Sequence, residues 1–110
     1  MSCLPIVRVA DRTDAVALQS LYCQLVDDVN VNVTESQIQM LAEDARTRLY
    51  VCEIDVDVCA TVLVSLCADA MYAGQPFAVI ENLVVDRRCR GNGIGQALLR
   101  EVEHYCLSRS

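Results

Sequence analysis

Lysine is absent from the sequence; all nine basic residues are arginine. A P-loop of the form G-x-x-x-x-G-K-[S/T] is therefore excluded, because it needs a lysine to reach the phosphates. Basic residues are also outnumbered: fifteen Asp and Glu against nine Arg give a net charge of −6. That balance works against nucleic acid and anionic membranes as partners. No apolar run approaches the ~20 residues that cross a bilayer. The start, Met1-Ser2-Cys3-Leu4-Pro5, lacks the basic-then-apolar pattern of a secretory signal. The seven cysteines (Cys3, Cys23, Cys52, Cys59, Cys67, Cys89 and Cys106) are odd in number, contain no C-x-x-C and mostly sit in apolar runs. They argue against a disulfide framework or a zinc site and for reduced thiols in a cytoplasmic chain, mainly small core residues. Cys89 differs, lying in a polar loop, where it reads as an ordinary exposed thiol. The one histidine, His104, falls with Ala97, Arg100 and Glu101 on the less apolar side of the last helix and reads as solvated.

What is present is a hydrophobic complement of 54% in 110 residues, enough for the core of one domain. Ile6 to Ala10 is a short β-branched run, the first strand. Asp11, Thr13 and Asp14 offer N-caps for a helix carrying Leu18, Leu21, Tyr22, Leu25 and Val29, running to about Asp28. Thr34 to Gln37 spells a capping box, and Ile38, Leu41 and Ala45 supply the apolar face of a second, shorter helix. The period then changes. Leu49 to Ile54 and Val58 to Leu66 read as a hairpin around Asp55-Val56-Asp57, a turn without the usual Asn-Gly or Asp-Gly signal. After a loop holding Gly74 and Pro76, Phe77 to Val85 is a further strand. Ile94, Leu98, Val102 and Tyr105 mark a last helix to about Ser108. The order β-α-α-β-β-β-α predicts an α/β fold, a mixed sheet with helices on its faces.

The segment from Ile80 to Leu99 carries the chemistry. A buried strand enters a basic turn, Arg87-Arg88-Cys89-Arg90, then Gly91-Asn92-Gly93-Ile94-Gly95, and then an amphipathic helix. The first amides of a helix lack internal partners, and the helix dipole favours negative charge there. Glycines let a backbone approach phosphate oxygens closely, and arginine adds charge-assisted bonds. The dinucleotide fingerprint G-x-G-x-x-G fails, since counting from Gly91 its last position is Gln96.

Arg90-x-x-Gly93-x-Gly95 resembles the R/Q-x-x-G-x-G/A signature of the Gcn5-related N-acetyltransferases (GNAT). The signature stands between the fourth strand and third helix, as in that family, and Glu81 to Val85 and Ala97-Leu98-Leu99 also resemble it. The resemblance implies a GNAT-like fold that binds acetyl-CoA as cosubstrate. The amides of Arg90, Gly91, Asn92, Gly93, Ile94 and Gly95 would cradle the pyrophosphate, and the backbone of Leu83, Val84 and Val85 would pair with the pantetheine arm. An amide near Leu83 would polarise the thioester carbonyl, and an amine would attack the acetyl group directly. Glu81 is the candidate general base, expected partly buried near the acetyl group; its alternative role is a structural carboxylate.

The family usually continues past its third helix with a fifth strand and more, forming the far wall of the coenzyme cleft and often carrying a Tyr that protonates the departing thiolate. Here the sequence ends at Ser110, and Tyr72 and Tyr105 do not match that position. The expectation is one incomplete domain over residues 1–110, with an open edge at the strand carrying Val85, covered by a second copy in a homodimer. Two function classes follow: N-acetylation of a primary amine in a small molecule or peptide, or a catalytically silent CoA-binding or interaction module. A nucleotide-binding regulatory domain is disfavoured by the missing lysine.

Overall fold

A computed structural model describes residues 4–109; the expectations for Met1, Ser2 and Cys3 lie outside them. The strands are β1 (Ile6–Val9), β2 (Thr47–Ile54), β3 (Asp57–Cys67) and β4 (Phe77–Val85), and the helices are α1 (Ala15–Leu25), α2 (Glu35–Glu43) and α3 (Ile94–Ser108). The element order is the expected one. All pairings are antiparallel, and the sheet order is β1-β2-β3-β4.

The period of two along β2 divides the core. Tyr50 and Cys52 join Ala60, Val62 and Val64 of β3 in one apolar layer, which α3 covers with Ile94, Leu98, Val102 and Tyr105. Leu49 and Val51 face the other way, into a layer with Leu18 of α1 and Ile38 of α2. One face of the sheet thus carries α3 and the other carries α1 and α2. Leu98 and Leu18 are fully buried, so α3 and α1 are each anchored by a side chain whose burial is worth about 2–3 kcal/mol. No helix among the described residues is long and apolar enough to cross a membrane.

Two boundaries differ from the sequence expectation. Helix α1 ends at Leu25: Val26 is already extended (φ −129°, ψ 144°), and the Asp28 carboxylate accepts from the Asn30 amide at 2.8 Å, turning the chain. Val29, expected on the apolar face, is 99% exposed. Ala45 likewise falls beyond α2, whose start is capped by Thr34 accepting from the Gln37 amide at 3.2 Å. At the other end of the first loop, Asp11 and Asp14 form a reciprocal capping box on a 3-10 turn at Arg12–Asp14.

The hairpin turn has Asp55 and Val56 both at positive φ (52° and 62°), as a two-residue turn joining antiparallel strands requires. Val56 does this against its branched side chain. Near the first strand, Arg8 makes two 2.9 Å bonds to the buried Asp14 carboxylate and two of 3.2 Å to Glu53 of β2. Those partners raise the guanidinium's affinity for its proton and clamp β1 to both neighbours.

Of the six described cysteines, all free, only Cys52 and Cys59 are core residues. Cys23 is exposed, and Cys67 and Cys106 are half-buried. Cys89 is half-buried too, packed against the layer holding Cys52 and Cys59, which corrects its reading as an exposed thiol. His104 is exposed, as expected.

Candidate functional site

β4 carries an irregularity where the chemistry was expected. Leu63 pairs with Glu81 and Thr61 with Val84, so two residues, Asn82 and Leu83, stand opposite Val62 alone. Asn82 takes φ +58°, a conformation asparagine tolerates better than most residues. The bulge bends the strand and re-aims its side chains. Beyond it Val84 is buried, and Val85 packs in the α3 layer. The second edge of β4 has no strand partner among the described residues.

At its end β4 is locked in place by its successor. The Asp86 amide donates to the Cys59 carbonyl at 2.8 Å. The Asp86 carboxylate, itself buried, accepts from the Arg88 amide at 3.0 Å and from the Arg88 guanidinium at 3.2 and 3.0 Å. The Arg88 side chain, then its amide, hold that carboxyl below the usual carboxylate range. This caps a second 3-10 turn, Arg87–Cys89. From α1, Gln24 accepts from the Arg87 amide at 3.1 Å.

The glycine segment follows. Arg90 Nε donates to the Val85 carbonyl at 3.0 Å, folding the loop back over the strand end. Asn92 Nδ2 donates to the Cys89 carbonyl at 3.1 Å. Gly91 and Gly93 take φ of +87° and +74°, and a Cβ built on either would meet no atom within 4 Å. Glycine is there for its backbone freedom, and the space outside the loop is open. Gly93 is the N-cap of α3, and no side chain caps the helix. The amides of Ile94, Gly95 and Gln96 therefore have no partner within the helix. Geometry of this kind accepts phosphate oxygens.

Leu83, Val84 and Val85 end β4 just ahead of this loop, Arg90 to Gly93 form the loop itself, and Ile94 and Gly95 begin α3. Glu81 lies four residues before Val85, on the face shared with Leu63 and thus with α1 and α2. It is exposed, and its carboxylate has no hydrogen bond or ion pair among the described residues. The expected partial burial is therefore corrected: from Phe77 to Leu83 the edge strand β4 is largely exposed, and Glu81 stands in solvent. Sequence reasoning missed Asp86, Gln24 and Asn82. An Asp just ahead of a turn is a readable cap signal; Gln24 acts across tertiary space and left no local trace.

The model of the acetyltransferase (GNAT) family matches residues 17–110. No curated protein sequence matches at a significant level. Among solved structures, glucosamine-6-phosphate N-acetyltransferase from Arabidopsis thaliana superposes with a TM-score of 0.83 at 21% identity, covering 96% of this chain and 76% of that one. An acetyltransferase from Trypanosoma brucei gives 0.82 at 20% identity, with 96% and 77% covered. An aminoglycoside N-acetyltransferase in complex with CoA gives 0.83 at 13% identity, with 100% and 74% covered. At these identities the superpositions speak for the fold, and the family match, over most of the chain, speaks for descent: the chain belongs to the GNAT acetyltransferase family.

Proposed function

We propose that the chain binds acetyl-CoA at the glycine loop and transfers its acetyl group to a primary amine of a small molecule or peptide. The observation that carries this is the uncapped start of α3, with Gly91 and Gly93 at positive φ beside open space. Acetyl-CoA supplies an acetyl group already activated as a thioester. The amides of Gly91 to Gly95 would take the pyrophosphate oxygens, and Arg90, whose terminal nitrogens have no partner among the described residues, would add charge. Leu83, Val84 and Val85 would offer main-chain groups along the free edge of β4. Glu81 is the residue proposed to receive the amine's proton. A second copy of the chain pairing along the same edge ahead of the bulge, clear of Leu83 to Val85, completes the proposal; a monomer in sedimentation at high concentration would count against it.

The test is a calorimetric titration with acetyl-CoA on the unmutated chain, on Gly93→Glu and on Gly74→Glu. Both glycines have positive φ and open surroundings, so both variants carry a similar backbone strain of about 1–2 kcal/mol. Only the first places a carboxylate in the cradle. Binding lost in Gly93→Glu and kept in Gly74→Glu is expected; equal binding in both would refute the site. The solvated, unpartnered Glu81 favours one alternative, a CoA-binding module without turnover. Acetylation across a panel of amines, abolished in Glu81→Gln, decides against that alternative.

A further inference from the structure

A second concave site lies far from the glycine loop. A cavity of ≈360 Å³ opens between Arg46 and Arg109, over a floor of Leu66, Ala68, Gly74 and Pro76. Its walls are the approach to β2, the end of β3, the loop before β4 and the end of α3. The glycine loop sits at the opposite end of α3, about 22 Å away for a helix of this length.

Two arginines line the cavity, and a third, Arg48, stands against the Tyr105 ring that also carries Arg109. Arg46 continues the β2 ladder, its carbonyl accepting from the Leu66 amide at 2.8 Å, and so shares a face with Arg48 and Tyr50. The Arg48 and Arg109 guanidinium carbons lie 5.1 and 5.6 Å from the centre of the Tyr105 ring. Tyr105 and Arg109 both donate to the Ala45 carbonyl, at 3.0 and 3.1 Å. Tyr105 thereby steadies two cationic groups beside the cavity, and groups already ordered lose less freedom on binding a ligand.

None of the three arginines has a carboxylate within ion-pair distance among the described residues. Two acidic side chains around the cavity are tied to backbone amides. Asp44 accepts from the Arg46 amide at 2.8 Å, and Asp69 from the Met71 amide at 3.2 Å. Arginines without an ion-pair partner among the described residues, on a chain of net charge −6, make a local field for a small anion. The guanidinium fork matches a carboxylate, and the apolar floor suits a carbon skeleton. The volume falls at the small end of ligand pockets, roughly 300–1,000 Å³.

We propose that this cavity binds a small carboxylic acid, its carboxylate between Arg46 and Arg109 and its carbon chain against Leu66, Ala68 and Pro76. The site is independent of the acetyl-CoA proposal. Succinate and benzoate are titrated into the full chain while backbone amide resonances are followed, with inorganic phosphate in parallel. The expected result is saturable movement at Ala68, Gly74 and Arg109 in the millimolar range for at least one acid. Its affinity should fall with added salt and drop about tenfold or more in Arg46→Gln. The Arg46 guanidinium makes no hydrogen bond or ion pair among the described residues, so this variant should melt like the parent. Arg109→Lys, which keeps the charge and loses the fork, gives a second reading and should weaken binding too. No saturation, movement confined to Gly91 and Gly93, or undiminished binding in both variants would overturn the site. Phosphate binding as tightly as either acid would overturn the carboxylic-acid assignment.

Discussion

Alkaline pH is a sharp perturbation for this chain, because without lysine nothing basic titrates between the thiol range and the arginines. Cys59 is 3% exposed. Burial, reinforced by the neighbouring Cys52 and Cys89 thiols, pushes its pKa from 9.0 up to about 12. Burial also raises the Cys52 thiol and the Tyr22 and Tyr50 phenols. The sign follows from proton counting. Above pH 9 the unfolded chain releases the Cys59 proton while the folded chain retains it, so the stability fully present below pH 9 declines toward pH 12. The slope is about 1.4 kcal/mol per pH unit, at most about 4 kcal/mol across the interval, against a typical total of about 5–15 kcal/mol. Urea unfolding followed by circular dichroism, under reducing agent, measures it between about pH 8 and pH 11. Cys59→Ala should cost on the order of 1 kcal/mol at neutral pH and flatten the decline, so the two curves cross about one pH unit above pH 9. Constant stability of the parent across this range, or an unchanged slope in the variant, would refute the reasoning.

Two further outcomes are expected. Val56→Gly relieves a β-branched residue at φ 62° that is 87% exposed and holds little packing; the urea midpoint should rise, by about 1 kcal/mol of stability, and a fall would show that the turn is not strained. The carboxyl of Asp86, held low chiefly by the Arg88 side chain, contributes stability above its unfolded pKa near 4 that is lost as pH falls through its lower folded value. Asp86→Asn should therefore be less stable at neutral pH and show a shallower acid transition by circular dichroism; parallel acid curves would mean that the Arg88 pair contributes nothing.

Period and punctuation made most of the fold legible. Ile94, Leu98, Val102 and Tyr105 recur at helical spacing and all prove buried. Phe77 to Val85 was bounded by Pro76 and Asp86 and is the strand observed. Legibility failed where side-chain bonding to the backbone decides. The periodicity carried α1 on to Val29, but the turn at Asp28 competes with helix there. The loop was readable because glycine and arginine act through local conformation and charge. Glu81 was harder: its residue type says carboxylate, but its exposure follows from β4 lying at the sheet edge with little packed on it, a tertiary fact that no spacing in β4 announced.

The strand order has a consequence in time. β2, β3 and β4 pair with neighbours in sequence, whereas β1 meets β2 only across about forty intervening residues. Closing that long loop costs chain entropy before any contact compensates it. The three-strand meander can form early, and β1 docks late, fastened by Arg8 to Asp14 and Glu53. Interactions made after the rate-limiting step govern how slowly a protein comes apart rather than how quickly it assembles. The Arg8 clamp would then set the lifetime of the native state, and stopped-flow traces of Arg8→Met would show faster unfolding with refolding almost unchanged.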